Sequence, residues 1–383
     1  MKIYLELLIR ELKLFSRNTT VIIIFFLAPI IYGVLFGFVY KKGKVTDLPI
    51  LVIDKDNSPL SNRLLDMLND NETLIVKKVL AETSNLKQEI IDNGFDAIVI
   101  IPERFQASIL QRKNTNITVD VNLANILTAN YASKNIQVVL ATFSAGIKIE
   151  TMKKMGVPLS NASTIYDPFT VSYVKNFNNS SNYMYFLYPG LLGTILQQVL
   201  LLAIALSFSR EFEQNTFKTE FLNKLPHRWQ ALIIKPLIFW IGVIPILIIY
   251  LLLFSVFKIP FSIDYGPLIA LLYLFIFAVS YLGVIFSILL PSQLKATEFL
   301  MVIATPSFVI GGFTWPIDQM PIIIQYIAQI IPLTPFLAAF RKLFMYGASL
   351  QDIKPELIHL SVLTVIYFLL SYIALLLKTK KLR

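Results

Sequence analysis

The sequence predicts a polytopic α-helical membrane protein with six transmembrane helices and an α/β domain inserted between the first and second. Of its 383 residues, 56% are hydrophobic and only 15% are charged, whereas soluble domains carry about 25% charged residues. The mean hydropathy is +0.66. Apolar runs of membrane-crossing length recur along the chain, and one long polar stretch separates the first run from the others. These observations exclude an ordinary soluble globular protein.

Residues 1–20 predict an amphipathic helix that lies in the membrane interface. Glu6, Arg10, Lys13 and Arg17 recur at helical spacing and form one polar stripe, while leucine, isoleucine and phenylalanine occupy other faces. A basic amphipathic helix directly before an apolar run is typical of interfacial anchors. The alternative interpretation is a solvated helix face that makes no contact with lipid.

Six apolar runs predict the transmembrane helices. The first run, residues 21–40, has no charged residue over the roughly 20 positions that a helix needs to cross the hydrocarbon core. Residues 186–383 supply the remaining five, at 186–208, 233–257, 267–290, 297–314 and 357–377.

The segment between the last two runs, residues 315–345, contains prolines at 316, 321, 332 and 335. Prolines at this density break a continuous transmembrane helix. The segment therefore predicts a helical hairpin that enters the outer leaflet without crossing it.

Residues 41–185 predict a separate α/β domain, because four β-branched runs alternate with helical patterns. The runs are LPILVID, ETLIVKKV, FDAIVIIP and NITVDVNL. The stretch has no phosphate-binding loop, and its lone Gly94 is expected to end a helix. Asp54 and Asp56 directly precede Asn-Ser-Pro, which is the chemistry of a turn rather than of a catalytic or metal site.

The distribution of basic residues predicts the orientation. The N-terminal segment, the loop after the second span and the C-terminal KTKKLR are rich in lysine and arginine, and such segments stay in the cytoplasm. Six spans place both termini there and make the α/β domain extracytoplasmic. We expect a multi-pass protein of the bacterial plasma (inner) membrane with both termini cytoplasmic. The net charge of +10 is explained by these segments, and no aromatic-basic motif indicates nucleic acid.

The apolar runs lack the residues that ion-driven transport or catalysis requires. None carries aspartate, glutamate, lysine or arginine near its centre, which argues against proton relays and voltage sensors. The chain has no cysteine, and its two histidines are expected on opposite faces of the membrane. No G-x-x-x-x-G-K-[ST] motif occurs. We expect no catalytic residue, no bound cofactor and no metal site, so the chain is not expected to be an enzyme.

Gln197 and Gln198 form the most polar pair inside a predicted span. Interhelical hydrogen bonding is the simpler interpretation of such a pair. The alternative is a polar patch on the translocation path of a transported compound.

Residues 209–230 predict a short charged hairpin on the cytoplasmic side, between two spans. Asn215 is expected to adopt a left-handed turn. Thr216 is expected to cap a helix, FKTEFLNKL, that ends at Pro226.

Three apolar residues of this hairpin, Phe217, Phe221 and Leu222, are expected to be exposed because so short a helix has no soluble core of its own. Exposed aromatic side chains need a protein partner or the membrane surface to cover them. The hairpin therefore predicts a docking element.

The hairpin resembles the R-E-x-E-x-G-T…P segment of the ABC-2 type transporter permease family. The matching residues are Arg210, Glu211, Glu213, Thr216 and Pro226, and an asparagine stands where the family has its usual glycine. The order of elements is also similar over nearly all of the chain. It includes LPILVIDKDNSPLS at the start of the α/β domain, FNNSSNYMYFLYPGLLG before the second span and GGFTWPIDQMPIIIQYIAQIIPLTPF after the fifth. The chain most resembles the drug and lipid exporter permeases that lack an ATPase domain of their own.

This resemblance implies partners. Permeases of this kind dimerise and bind a cytoplasmic ABC ATPase subunit, so ATP would bind to that partner and not to this chain. Residues 210–226 would be the coupling helix, with Phe217, Phe221 and Leu222 docked into a groove of the ATPase. The other implied partners are a second permease, identical or similar to this chain, and membrane lipid. The resemblance leaves a periplasmic adaptor as an open question.

Two functions remain as hypotheses. The first is the permease subunit of an ATP-driven exporter that moves an amphipathic compound, such as a drug or lipid, out of the cytoplasm or the inner leaflet. The alternative is a membrane sensor or scaffold that uses the external domain and transports nothing.

Overall fold

The computed structural model describes residues 2–82, 85–156, 176–178, 180–261 and 263–380. The chain forms two compact units. One comprises Met1–Gly43 and Lys175–Arg383 and contains the long apolar helices. The other, Lys44–Val174, contains a sheet. The end of the KTKKLR tail, residues 381–383, lies outside the described residues.

In chain order, the first two helices belong to the larger unit, the next eight elements to the smaller unit, and the remaining helices to the larger unit again. The elements are α1 (Lys2–Ser16), α2 (Thr19–Val39), β1 (Leu48–Asp54), α3 (Pro59–Asn69), β2 (Leu74–Leu80), α4 (Leu86–Asn93), β3 (Ala97–Ile101), α5 (Phe105–Leu110), β4 (Thr118–Val121), α6 (Ile126–Lys154), α7 (Tyr183–Glu213), α8 (Ala231–Val256), α9 (Tyr265–Leu289), α10 (Gln293–Ile310), α11 (Ile322–Ile330), α12 (Leu333–Tyr346) and α13 (Lys354–Lys380).

The sheet of the smaller unit has the strand order β2-β1-β3-β4. β1 pairs in parallel with β2 and β3, and β4 is antiparallel to β3. All four predicted strands form. Both faces of β1 are buried, with Ile50 and Val52 in one apolar cluster and Leu51 and Ile53 in another. Helices that cover both faces of a mostly parallel sheet explain why its central strands read as continuous β-branched runs.

A turn after β1 is closed by the carboxylate of Asp54. Its Oδ1 accepts the backbone N–H groups of Asp56 and Asn57, both at 3.0 Å, and its Oδ2 accepts the hydroxyl of Ser61 at 2.6 Å. Asp54 and Ser61 are both buried. The interpretation of this segment as turn chemistry is confirmed, as is the helix end at Gly94, where φ is +66°.

Asp54→Ala is expected to destabilise this unit by about 2–4 kcal/mol, because two backbone donors and the Ser61 hydroxyl lose a charged acceptor in a buried site. Hydrogen exchange of Leu48–Asp54 should become faster in this variant. Asp66→Ala, on the exposed side of α3, is the control and should leave that exchange unchanged. Equal exchange in both variants would contradict the role given to the turn.

Five helices are long and apolar enough to cross a membrane: α2, the stretch Arg228–Val256 that contains α8, and α7, α9 and α13. A sixth is reached only if α11 and α12 count as one span, although they meet at a bend of 82°. Helix α10 lies where the fifth span was expected, but it has 18 residues, two of them Lys295 and Glu298, and is not among the five. The count of six spans stays a prediction.

The bend between α11 and α12 lies at Ile331 and Pro332. Proline removes a backbone donor and restricts the residue before it, which ends the first helix. Two short helices therefore form where the prolines predicted a hairpin. Its place in the outer leaflet stays a prediction.

Helix α7 is the most buried of the five candidate spans. Two of its glycines allow close packing: an added Cβ at Gly190 would lie 2.5 Å from the Phe313 ring, and one at Gly193 would lie 2.6 Å from Phe336. By contrast, fewer than two fifths of the residues in the apolar stretches of α2, α8 and α13 are buried within this unit. Their exposed apolar surface suits contact with lipid or with a second copy.

Candidate functional site

The hairpin between α7 and α8 begins as the sequence predicts. Asn215 has φ +57°, so the chain makes the expected left-handed turn. The predicted helix FKTEFLNKL forms only in part, as a wide π-helical turn, Phe217–Phe221, followed by a tighter 3₁₀ turn, Leu222–Lys224. The predicted cap is wrong, because the side chain of Thr216 caps neither turn. The wide turn directs the rings of Phe217 and Phe221 to one side, where they stack 5.8 Å apart.

The expected exposure of the hairpin aromatics is also wrong. Phe217 is 1% exposed and Phe221 is fully buried, while Leu222 is half-buried. The reason is that α7 extends to Glu213 and supplies two further rings, from Phe208 and Phe212. The Phe217 ring lies 5.7 Å from the first and 4.8 Å from the second. These aromatics hold the hairpin to its own subunit and are not free to dock elsewhere.

A buried lysine organises the charges behind this aromatic cluster. Lys235, one turn into α8, has no exposed side-chain surface. Its Nζ donates to Glu211 Oε1 at 2.7 Å, to both carboxylate oxygens of Glu11 at 3.2 Å, and to the carbonyl of Ser207 at 3.1 Å. Three acceptor groups match the three N–H bonds of an ammonium. The same Nζ lies 4.8 Å from the centre of the Phe221 ring.

Arg10 on α1 joins the same network. It donates to Glu211 Oε1 at 2.7 Å, to Glu11 Oε1 at 2.6 Å and, through a second guanidinium nitrogen, to Glu220 Oε2 at 2.9 Å. Its guanidinium lies 5.8 Å from the centre of the Phe221 ring. The N-terminal helix is therefore attached to the hairpin by ion pairs and by the contact of the Arg10 guanidinium with the Phe221 ring.

We call Arg10, Glu11, Glu211 and Lys235 the charged cluster. Lys235 and the two carboxylates are buried, Arg10 is half-buried, and Glu220 adds an exposed carboxylate at the edge of the cluster. Burial raises the pKa of Glu11, and the neighbouring Lys235 opposes that rise. Buried charges are tolerated when each is paired and hydrogen-bonded. The cluster meets this condition, apart from Glu211 Oε2, which has no hydrogen-bond partner in the described part of the chain.

The sequence predicts Arg10 in the polar stripe of α1 and Lys235 at the end of a span, but no local pattern indicates that both residues pair with Glu211. Glu11 is not predicted as a functional residue at all. One signal was available: Glu11 lies outside the polar stripe, among the apolar residues of α1. A carboxylate on that side requires a cationic partner from elsewhere in the fold.

Further contacts tie the hairpin to three other helices. Glu213 Oε2 accepts the side-chain amide of Gln293, at the start of α10, at 2.9 Å. Arg228 donates to the Thr379 hydroxyl, at the end of α13, at 2.9 Å. Arg210 donates to the carbonyl of Leu14 in α1 at 3.4 Å. The ends of α1, α7, α8, α10 and α13 thus converge on this one hairpin.

The outward side of the hairpin is polar. Lys218, Thr219 and Glu220 are exposed in the wide turn, and Asn223 and Lys224 are exposed in the tighter one. Pro226 is exposed as well. The structure thus divides the predicted coupling segment, residues 210–226, into buried anchors and a separate exposed surface, which we call the hairpin surface and define as residues 218–220 and 223–224. None of the individually predicted coupling residues belongs to this surface.

The two glutamines of α7 differ in environment. Gln197 is 1% exposed, and neither its amide nitrogen nor its amide oxygen has a hydrogen-bond partner among the described residues. Gln198 is half-buried. The interhelical hydrogen bond considered for Gln197 is therefore absent from the described part of this chain, and its place on a translocation path stays a prediction.

The described ranges contain no candidate metal-binding site. No group of three or more histidine, aspartate or glutamate side chains there is arranged to hold a metal ion.

Five long apolar helices, a separate sheet unit and a hairpin stabilised by buried ion pairs are typical of a multi-pass membrane protein. The family of ABC-2 family transporter proteins matches residues 19–373, so the chain belongs to that family. The family is one of membrane permeases that work with an ABC ATPase subunit.

Two relatives come from Escherichia coli (strain K12). The protein named "Probable multidrug ABC transporter permease YbhR" is 23% identical over 361 residues, which are 93% of each chain. The protein named "Probable multidrug ABC transporter permease YbhS" is 25% identical over 176 residues, which are 45% of this chain and 46% of that protein.

Proposed function

We propose that this chain is the permease subunit of an ATP-driven ABC exporter that moves an amphipathic compound, such as a drug or lipid, out of the cytoplasm or the inner leaflet. A separate cytoplasmic ATPase subunit hydrolyses the ATP, and a second permease, identical or similar, completes the membrane part. The protein lies in the bacterial plasma (inner) membrane with both termini in the cytoplasm and with residues 41–185 outside. Family membership and the permease names of both relatives support this assignment.

The observation that carries the proposal is the attachment of the hairpin. Its inner side is fixed to α1, α7 and α8 by buried aromatics and by the charged cluster. Its ends are hydrogen-bonded to α10 and α13. A force applied to the hairpin surface therefore reaches five helices instead of bending a loose loop. This is the mechanical property that a coupling element needs.

The structure changes which residues are proposed to touch the ATPase. Docking by Phe217 and Phe221 would require them to leave a packed core, at a cost of several kcal/mol each (about 3–5 for a large aromatic). We instead assign contact with the ATPase to the hairpin surface and to the exposed edge at Pro226. Glu211 and the two phenylalanines then orient that surface from inside the subunit. The half-buried Arg210, Thr216 and Leu222 lie at its margin, and the exposed Glu213 holds it to α10 through Gln293.

The absence of cysteine from the chain gives a direct test. Thr219→Cys on the hairpin surface should cross-link to the co-purified ATPase subunit. Asn62→Cys, exposed on α3, should not cross-link to the ATPase subunit. It should instead react with a membrane-impermeant maleimide added to spheroplasts. Lys218→Glu/Lys224→Glu should weaken assembly roughly tenfold, since reversed charges oppose a complementary surface.

If no ATPase subunit co-purifies, or if Thr219→Cys and Asn62→Cys cross-link equally, the coupling role fails. The sensor or scaffold function then becomes the better explanation. Labelling of Thr219→Cys from outside, with Asn62→Cys protected, would invert the proposed orientation.

A further inference from the structure

An open groove with a volume of about 580 Å³ lies within the sheet unit, along one face of α6. Helix α5, the loop that follows it and Ile117, next to β4, supply the rest of the described lining. Sites for small molecules have volumes of about 300–1,000 Å³. The groove is therefore large enough to hold one.

Most of the described lining is apolar. The rings of Phe105 and Phe143 stack 6.1 Å apart, and both are buried. The other apolar lining residues are Ile109, Ile117, Leu140, Ile147, Met152 and Met155. From Leu140 to Met155 the lining extends over 15 residues, or about 22 Å. An acyl chain spans half of a hydrocarbon core of about 30 Å, so the groove is long enough for one such chain and a head group.

The charged side chains among the described lining residues are all positive. They are Arg112, Lys113 and Lys148, and no aspartate or glutamate occurs among them. Arg112 and Lys113 are exposed, and neither forms an ion pair within the described part of the chain. A cleft lined by charges of one sign concentrates ligands of the opposite sign. The ligand that complements this groove has an apolar chain and an anionic head.

The backbone holds Arg112 in a conformation that favours glycine. Helix α5 ends in a Schellman motif, in which the N–H of Lys113 donates to the carbonyl of Ser108 at 2.8 Å and the N–H of Arg112 donates to that of Ile109 at 3.0 Å. The φ angle of Arg112 is +56°. Glycine is the usual residue at this position of the motif. An arginine here indicates a role for its side chain beyond ending the helix.

We propose that this groove binds a single-chain anionic amphiphile. The apolar chain packs against the phenylalanine rings and the apolar face of α6, and the anionic head pairs with Arg112 and Lys113. Binding requires neither an ATPase subunit nor ATP-driven export.

The test uses the full chain in phosphatidylcholine nanodiscs, without an ATPase, and two probes that carry a diazirine in the same alkyl chain. One probe is an alkyl phosphate and the other is the corresponding uncharged alcohol. Mass spectrometry should find residues 105–117 and 140–155 labelled about tenfold more by the phosphate, the effect of one hydrogen bond to a charged group.

Arg112→Gly/Lys113→Gln should abolish this preference. Glycine suits the left-handed position, so the fold is retained while the charge is lost. Arg104→Gly/Lys134→Gln is the matched control. It removes the same charge, Arg104 also has a positive φ of +55°, and both residues are exposed and outside the lining. This control should keep the preference.

A second pair of variants fills the groove. Ser144→Trp, an exposed lining residue of α6, should reduce labelling by both probes. Val138→Trp, exposed on the same helix outside the lining, should not.

A two-chain phosphatidic acid with the same diazirine should label the groove less than the alkyl phosphate, because the described lining offers one apolar stretch. Equal or stronger labelling by phosphatidic acid would overturn the single-chain assignment. Groove segments that stay unlabelled, that react equally with phosphate and alcohol, or that keep the preference in Arg112→Gly/Lys113→Gln would overturn the site itself. Because no ATPase is present, these outcomes are separate from failure of the exporter assignment.

Discussion

Replacing Lys235 by methionine is expected to destabilise the protein by about 3–5 kcal/mol, because the buried carboxylates of Glu11 and Glu211 then lose the one fully buried cation that they share and keep only the half-buried Arg10. Methionine keeps most of the apolar length of the side chain, so the loss is mainly electrostatic. The measurement is a thermal or SDS-induced unfolding curve of the purified chain in detergent.

Lys224→Met is the matched control, since Lys224 is exposed on the same hairpin. It should change stability by less than about 1 kcal/mol. The double variant Lys235→Met/Glu211→Gln removes one charge of each sign and leaves Arg10 to face Glu11. It should be more stable than Lys235→Met alone, the coupling expected for groups in one network. If Lys235→Met unfolds like Lys224→Met, the charged cluster does not hold the hairpin.

Phe221→Ala is expected to cost about 3–5 kcal/mol, the range for truncating a large, fully buried aromatic. The Phe221 ring stacks on Phe217 and covers both Lys235 and Arg10. Its loss would open a path for water to the charged cluster. Hydrogen exchange should accelerate in residues 216–225 and also in α1, although α1 is far away in sequence.

Leu222→Ala is the comparison, because the neighbouring side chain is only half-buried. It should cost about 1 kcal/mol and leave exchange in α1 unchanged. Equal behaviour of the two variants would mean that Phe221 is not an anchor. The pair also separates two roles: a residue that docks to an ATPase would show its effect only in the complex, whereas an anchor shows it in the isolated chain.

Local patterns in the sequence predicted local structure well. The alternation of β-branched runs with helical patterns predicted the four strands. Asn215 predicted the left-handed turn, and the prolines predicted a break where α11 and α12 meet at a bend. Each of these features depends on residues close together in the chain. Helix α10 is the borderline case, since Lys295 and Glu298 reduce the hydropathy of an otherwise apolar helix.

The site depended on distant pairs that no local pattern specifies. Arg10 and Glu220 are 210 positions apart, and Glu11 and Lys235 are 224 apart. The positive-inside rule already accounts for a lysine at the end of a span, so the sequence alone does not indicate that Lys235 is buried and paired with Glu11 and Glu211. The hairpin phenylalanines were assigned to a partner protein for a related reason. The predicted boundary at residue 208 places Phe208 in the span and Phe212 in the hairpin. In the structure α7 continues to Glu213, so both rings lie on the same helix.

Helix α7 runs for 31 residues, or about 46 Å, and so exceeds the roughly 30 Å of the hydrocarbon core. At one end it carries Glu211 of the charged cluster. At the other end Asn182 caps it, and the N–H of Tyr183 donates to the carbonyl of Gly43, the last residue before the chain leaves for the sheet unit. Pro189 is the one proline inside it and lies in the second turn. From Gly190 to Glu213 the helix has no proline, so a displacement of the hairpin end is expected to move this whole stretch as one rigid rod.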